Sequence, residues 1–365
     1  MKVLYIPSLN APVVQWRIEY PAREMYKQLN EKDRGAVYVD YIFPATDNIA
    51  WDAMCLNKGD ISDAIQQRIN SACKYFDVII FQKIQNKEGL AILGGLKEIY
   101  PDKLFVAEID DSIGDITPSN YQLDNIKDHL SCAAYHVNMS DAVICSTSYL
   151  SKSISKINTN THVYPNCINY DIWNAVKKDN KSKDIRIGYV AGGGHDEDLL
   201  IAYRAMLPIM ESNKKVKFVV RYGGFRPDWL NHKQVDFELV SWEIDVYPKK
   251  LASLRLDIML APLRDTEFNR CKSNLKWIES SALNTPLIAS KIEPFVNTNG
   301  NLFLVSNDIS AWTNAINDCI NRYELISKDN FLKQNKENYS IQDEVSKLLV
   351  FLKNNYDKKF DNQKK

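Results

Sequence analysis

The chain has 365 residues, too many for one small core and suited to two domains of ordinary size. Apolar residues make up 45% and charged residues 25%, a balance that excludes a disordered chain. Lysine plus arginine and aspartate plus glutamate stand at 46 each, so there is no basic excess of the kind general nucleic-acid binding needs.

In chain order, short β-rich runs alternate with helical stretches. VLYIPSL (3–9), AVYVDYIF (36–43), DVIIFQK (77–83), KLFVAEID (103–110) and DAVICSTS (141–148) are the nearly continuous apolar runs of strands covered on both faces. Between the first two, Ile18, Ala22, Met25, Tyr26 and Leu29 recur at helical spacing, and 62–74, 88–100 and 122–138 supply further helices. After VYPNCINYDIW comes a charged, Asn-rich linker candidate at 177–184, and then the pattern restarts. Strands are expected at 185–192, 216–223, 236–242, 257–263, 286–290 and 301–305, with helices at 196–211, 246–254, 272–283 and 309–324. The expected fold is therefore α/β, with two tandem doubly wound, Rossmann-like domains facing each other across a cleft. The units are 1–167 and 168–340, and a last helix with a polar tail, 341–365, is free to cross back to the first.

No run approaches the roughly 18 apolar residues that span a bilayer, and the amino-terminal run lacks a cleavage-site pattern. Seven scattered cysteines without a CxxC pair argue against a disulfide scaffold or zinc ribbon. A cytoplasmic protein, with membrane contact at most peripheral, is the expectation.

Dinucleotide binding requires GxGxxG after a strand and an acidic residue ending the second strand. The first domain has NAPVVQW in that turn, and the second has Gly192-Gly193-Gly194 at the wrong spacing, with its second strand ending in Arg221-Tyr222. No GxxxxGK[ST] occurs, so a P-loop is excluded. Gly192, Gly193 and Gly194 read either as a close backbone approach to a phosphate or sugar, or as a tight turn before a helix with Asp196, Glu197 and Asp198 complementing its dipole.

The richest segment is LAPLRDTEFNRCKSNLKWIESSALNTPLIAS (260–290). In a helix starting near Lys272, Lys272, Lys276 and Glu279 share one face. With Ser273 and free first-turn amides, the lysines form an anion site suited to a diphosphate, and Glu279 accepts paired ribose hydroxyls. The alternative is a solvated face on which Lys276 pairs with Glu279. Asp110 and Asp111 end the strand KLFVAEID, where a cleft is expected. They are candidate catalytic carboxylates that bind sugar hydroxyls or act as a base, or else a solvated strand-ending turn. Adjacent aspartates do not make an Asp-x-Asp metal site, and the five histidines show neither HxH nor HExxH spacing. Arg17, at the start of the first helix, is a candidate anion contact on the acceptor side.

These residues resemble a family. DIMLAPLRDTEFNRCKSNLKWIESSALNTPLIAS is similar to the FN-x-x-KS-x-x-K-x-x-E…P-x-I-x-S stretch of family-4-like glycosyltransferases of the GT-B fold. IGYVAGGGHDEDL resembles the opening of their second domain, and VYPNCINYDIW their linker strand, with Cys167 and Asn169 where glycine and aspartate are usual. QWRIEYPAREM and AEIDDSI resemble segments of their first domain. The resemblance implies a nucleoside-diphosphate sugar held by the second domain, no metal or other cofactor, and a hydroxyl acceptor of unspecified identity held by the first. It implies that Asn269, Lys272, Ser273, Lys276 and Glu279 bind the donor. The usual first carboxylate of the E-x7-E pair is Cys271 here, and the cations that usually follow the second domain's first strand are missing, which leaves Arg221 to assist the lysines. Rival readings are a nucleotide-sugar 2-epimerase-like enzyme and a non-catalytic nucleotide- or carbohydrate-binding module.

Overall fold

Runs rich in Val, Ile and Phe lose least by being covered on both faces, and they build two six-stranded sheets, each parallel throughout. The computed structural model describes residues 1–7, 15–32, 39–41, 63–114, 126–169, 172–173, 175–176, 183–240, 246–298, 302–322 and 339–363. Most of the linker candidate, 177–182, and the flanks of several expected segments lie outside those residues.

The first sheet comprises β1 (Val3–Ile6), β2 (Val39–Tyr41), β3 (Val78–Gln82), β4 (Leu104–Ile109), β5 (Ala142–Cys145) and β6 (Thr161–Val163), in the order β2-β1-β3-β4-β5-β6. A π-helical turn, Gln15–Glu19, runs into α1 (Tyr20–Lys32), and α2 (Asp63–Cys73), α3 (Lys87–Ile99), α4 (Ile126–Met139) and α5 (Ser148–Ile154) follow. The second sheet comprises β7 (Ile185–Ala191), β8 (Val216–Tyr222), β9 (Val235–Leu239), β10 (Ile258–Ala261), β11 (Leu287–Ser290) and β12 (Leu302–Val305), in the order β12-β11-β10-β7-β8-β9. Its helices are α6 (Asp196–Ser212), α7 (Tyr247–Ser253), α8 (Glu267–Arg270), α9 (Leu275–Ala282) and α10 (Ile309–Asn321). The chain ends in α11 (Ile341–Gln363). No helix among the described residues is long and apolar enough to cross a membrane.

Strand order reverses between β1 and β3 in one sheet and between β7 and β10 in the other. At such switch points the loops leave toward opposite faces and open a crevice at the carboxyl ends, where open α/β sheets hold ligands. The glycine turn after β7 and the 262–274 segment after β10 both start at the second switch point.

The helix expected from Lys272 begins only at Leu275, and a separate short helix, Glu267–Arg270, precedes it. Thr266 accepts a hydrogen bond from the Asn269 amide and starts the short α8, and Cys271 ends it. Asn274 starts α9, so Lys272 and Ser273 stand in a turn between the two rather than on a helical face.

One hydrophobic cluster joins residues of both sheets, including Tyr5 and Val106 of the first and Val190 and Ala261 of the second, with Val345 and Leu352 of α11. α11 also returns to the first sheet's layer. Gln28 Nε2 donates to Gln342 O at 2.8 Å, Asn160 to Asn355 at 2.7 Å, and Lys359 pairs with Asp141 at 2.7 Å. The other face of the second sheet packs Phe218, Val220 and Tyr222 against Leu199, Ala202 and Met206 of α6 and Trp312 of α10. This alternation follows the two-residue period of β8 against the helical period of α6.

Where β7 and β8 end, their following turns touch backbone to backbone. A Cβ on Gly223 would lie 2.8 Å from the Gly193 nitrogen and 3.1 Å from the Gly192 carbonyl carbon. Gly194 has φ 82°, in the region that favours glycine. Gly223→Ala is therefore expected to push the Gly192–Gly194 turn outward and to cost about 1–3 kcal/mol of stability, the scale of overpacking. Urea denaturation checks this, and an unchanged midpoint would show that the turns yield freely.

Candidate donor and acceptor site

Loop 264–274 is fixed from within the second domain. The Leu263 amide donates to Ser290 Oγ at 2.8 Å, the Arg264 amide to Asp198 Oδ1 at 2.8 Å, and Asn269 Nδ2 to Arg264 O at 2.9 Å. Asn269, expected at the donor, is buried and spends its amide on the loop's own backbone. Arg264 also pairs with Glu197.

The same loop reaches the first domain. Thr147 Oγ1 donates to Cys271 O at 3.0 Å, Tyr149 Oη to Glu267 Oε2 at 2.9 Å, and Asn166 Nδ2 to Ser273 Oγ at 2.7 Å. Cys271 is 0% exposed, packed among Ala107, Ile109, Val143, Cys145, Leu150 and Ile154 of the first domain. Burial pushes its thiol up to about 11, with Ser112 in hydrogen-bond contact opposing the shift, so the sulfur stays protonated and neutral at neutral pH.

Asp111 and Lys272 therefore face each other, with Lys272 Nζ 3.9 Å from Asp111 Oδ1. Behind them Lys83, at the carboxyl end of β3, lies 3.8 Å from Asp110 Oδ1. Burial opposes the charge on Asp111, but Lys272, Lys83 and His195 outweigh it and hold the carboxyl below its ordinary range. Lys272 Nζ also sits 4.4 Å from the centre of the Phe268 ring, a cation–π contact that holds the ammonium in place.

One turn further, Lys276 Nζ meets Glu279 Oε2 at 2.8 Å and Tyr247 Oη at 3.3 Å. Glu279 is buried, so this is not the solvated pair of the plain reading. Burial works against the charge on Lys276, but Glu279 and Tyr247 more than offset it and raise the ammonium above its ordinary range. Burial also raises the Tyr247 hydroxyl.

Two expected anion contacts are placed elsewhere. Arg221 Nη1 donates to Asp236 O at 3.0 Å and to Asp236 Oδ1 and Val220 O at 3.1 Å, and Nε lies 3.2 Å from Glu238 Oε2. Its charge is neutralised on β9 by Asp236 and Glu238. Arg17 is 1% exposed, as is Glu108, and Nε meets Glu108 Oε1 at 2.7 Å. Its Nη1 donates to Tyr164 O at 2.6 Å and to Asn166 Oδ1 at 3.1 Å, so it braces the residues that reach Ser273 rather than presenting charge to the cleft. Burial pushes the Glu108 carboxyl up to about 7 against the pull of Arg17.

The structure thus brings together Asp110, Asp111, Lys272 and Ser273 across the two domains, with Lys276 and Glu279 one turn along. Lys83, His195, Asp198, Asn166 and Tyr247 belong to this neighbourhood and were not assigned from sequence. Lys83 directly follows a buried strand and His195 follows the glycines, positions that mark carboxyl-end loops. Nothing local marks Asn166 or Tyr247. His136 is buried and its Nδ1 accepts from the Ile84 amide at 3.2 Å. Burial depresses its pKa to about 3, which keeps it a neutral packing residue.

No family model and no curated protein matches the chain. Solved structures match over nearly its whole length. Anabaena HepE in complex with UDP and glucose superposes with a TM-score of 0.65 at 14% identity, covering 97% of this chain and 100% of that one. The catalytic domain of Arabidopsis thaliana starch synthase IV, bound to ADP and acarbose, gives 0.65 at 11%, covering 98% and 99%. A putative UDP-N-acetylglucosamine 2-epimerase from Listeria monocytogenes gives 0.56 at 12%, covering 98% and 97%. The chain has the two-domain GT-B fold.

The buried Arg17–Glu108 pair is expected to be strongly coupled. Arg17→Met or Glu108→Gln alone leaves an uncompensated buried group and should cost about 3–5 kcal/mol. The double variant should cost clearly less than the two together. Additive losses in a urea double-mutant cycle would show that the two charges do not depend on each other.

Proposed function

We propose that the protein is a glycosyltransferase, similar to the family-4-like group, that moves a sugar from a nucleoside-diphosphate donor to a hydroxyl of a glycan, lipid or modified nucleobase. The observation that carries the reading is the approach of Lys272 and Asp111 from opposite domains to 3.9 Å at the carboxyl ends of both sheets. The HepE and starch synthase structures, with bound nucleoside diphosphates, support it by likeness of fold. The enzyme is read as cytoplasmic and metal-independent, its cations being side chains.

In the structure Lys272 and Lys276 are paired with Asp111 and Glu279. A diphosphate is a stronger partner for an ammonium than a single carboxylate, so donor binding exchanges these pairs. Lys272 and Lys276 turn to the phosphates, Ser273 adds a hydroxyl, and Glu279 becomes free to accept ribose hydroxyls. Once Lys272 is neutralised by the donor, the Asp111 carboxylate regains basicity beside the acceptor. The bond from the anomeric carbon to the diphosphate oxygen then breaks, and its electron pair leaves on the diphosphate. The acceptor oxygen bonds to that carbon, and its proton passes to Asp111 and on to water. The lysines stabilise the negative charge as it develops.

A 2-epimerase-like activity is the second reading, favoured by the likeness to the Listeria protein, and would need no acceptor. Incubation with a panel of radiolabelled nucleotide sugars separates the readings. Slow donor hydrolysis marks a transferase, an isomerised sugar an epimerase, and binding without turnover a non-catalytic module.

Lys272→Ala is expected to weaken nucleoside-diphosphate binding by about 1.5–3 kcal/mol, the scale of a charge-assisted hydrogen bond. Calorimetry showing unaltered affinity would remove Lys272 from the donor site. Asp111→Asn is expected to do the converse, lowering turnover on the order of 10²-fold or more while donor affinity holds or improves as a competing carboxylate is lost. Normal turnover in that variant would end the assignment of Asp111.

A further inference from the structure

The turn between β7 and α6 contains no lysine or arginine, yet it enters the switch-point crevice with three acids behind it, Asp196, Glu197 and Asp198. Bare carboxylates there would repel a diphosphate. Two of the three are already engaged. Glu197 pairs with Arg264, and Asp198, 4% exposed, gives one oxygen to the Arg264 amide and the other to His195 Nδ1 at 2.8 Å. What the turn offers beyond its glycines is the His195 ring.

Building on the donor-site reading above, we propose that His195 is a catalytic residue, its ring held by Asp198 at Nδ1–H so that, as imidazolium, it meets the departing diphosphate through Nε2–H. Three contacts fix it. The His195 amide donates to Tyr222 Oη at 2.9 Å, Tyr189 Oη donates to His195 O at 3.4 Å, and Asp198 holds Nδ1. Both tyrosines are buried in the core beneath the turn. The His195 carbonyl opens α6 by accepting the Leu199 amide at 2.9 Å, while its side chain makes no capping bond. With Nδ1 occupied by Asp198, Nε2 is the nitrogen left for a ligand. The His195 turn leaves the carboxyl end of β7, which pairs directly with β10, and the loop after β10 carries Lys272. Asp198 ties the same ring to Arg264, the first residue of the loop that carries Lys272 and Ser273, so the glycine turn and the lysine loop are aligned by one carboxylate. In the transfer step His195 donates a hydrogen bond only. The electron pair goes to the diphosphate oxygen and the acceptor proton to Asp111, as above.

The charged and titratable groups around the ring are Asp196, Glu197 and Asp198 of α6, Asp111 after β4 with Lys83 and Lys272 against it, Arg264 after β10, and Tyr189 and Tyr222 beneath. Imidazole is the side chain whose charge ordinarily changes between about pH 5 and 8. His195→Asn removes only the ring and supplies a residue favoured at a helix start. The experiment measures UDP-glucose, ADP-glucose and GDP-mannose binding at about pH 5.5 and about pH 8, with turnover, for the unaltered protein and this variant. The expected result is affinity several-fold tighter at the lower pH in the unaltered protein. In His195→Asn the difference should be absent and turnover reduced on the order of 10²-fold, with the melting temperature kept. Turnover and pH response like those of the unaltered protein would overturn the proposal while leaving the donor site standing. Failure of the unaltered protein to bind any of the three donors would overturn the donor-site reading and this one with it. Should His195→Asn not fold, His195→Gln is read by the same criteria, and an affinity that does not change with pH in the unaltered protein overturns the proposal by itself.

Discussion

The two domains meet at one short loop, 264–274, whose Cys271 lies in the other domain's core. Cys271 is a protonated thiol packed among apolar side chains with Ser112 in hydrogen-bond contact, and the hydrogen bonds from Thr147, Tyr149 and Asn166 surround that contact. A charged side chain at 271 would need water or a partner, and burying it unpaired costs several kcal/mol. The residue is compatible with this packing because it is small and neutral. Its position determines where Lys272 and Ser273, the next two residues, can stand.

Given that anchor, the lysines of the site stand in ion pairs, and the proposed function has donor binding exchange them. Lys83, Lys272 and Lys276 each approach a carboxylate within 4 Å, on Asp110, Asp111 and Glu279. At Lys276, where burial works against the charge, the Glu279 carboxylate keeps the ammonium ionised. The pairs also give specificity. A ligand must supply at least as much negative charge, in the right place, as the carboxylates it displaces, which a diphosphate does and a neutral sugar does not.

Much of the architecture was legible in the sequence because it is periodic. Buried parallel strands read as apolar runs, and α6 begins and ends at Asp196 and Ser212, beside the expected 196–211, because glycines precede it and its core residues recur at helical spacing. The Lys272 segment misled because a helical face was extended backward through a break. Thr266, with Asn269 three residues on, was the available sign of a separate helical turn. Arg17 and Arg221 misled for another reason. Their partners are set by tertiary structure, with Glu108 91 residues from Arg17 and Tyr164 147 away, and no local pattern distinguishes an arginine aimed at a ligand from one neutralised in the core.

The same limit explains what Cys271 changes. The resemblance assigns a carboxylate to that position, facing the donor sugar, and the structure shows the position turned into the first domain and closed to solvent. On the proposed function, the sugar is then recognised by groups that remain at the crevice, among them Asp111 from the first domain, 3.9 Å from Lys272. Recognition by a first-domain carboxylate couples donor to acceptor, because the residue that would orient the sugar is the one placed to receive the acceptor's proton. A site built this way holds its donor securely only when both domains contribute, and the buried thiol keeps the second domain's loop against the first.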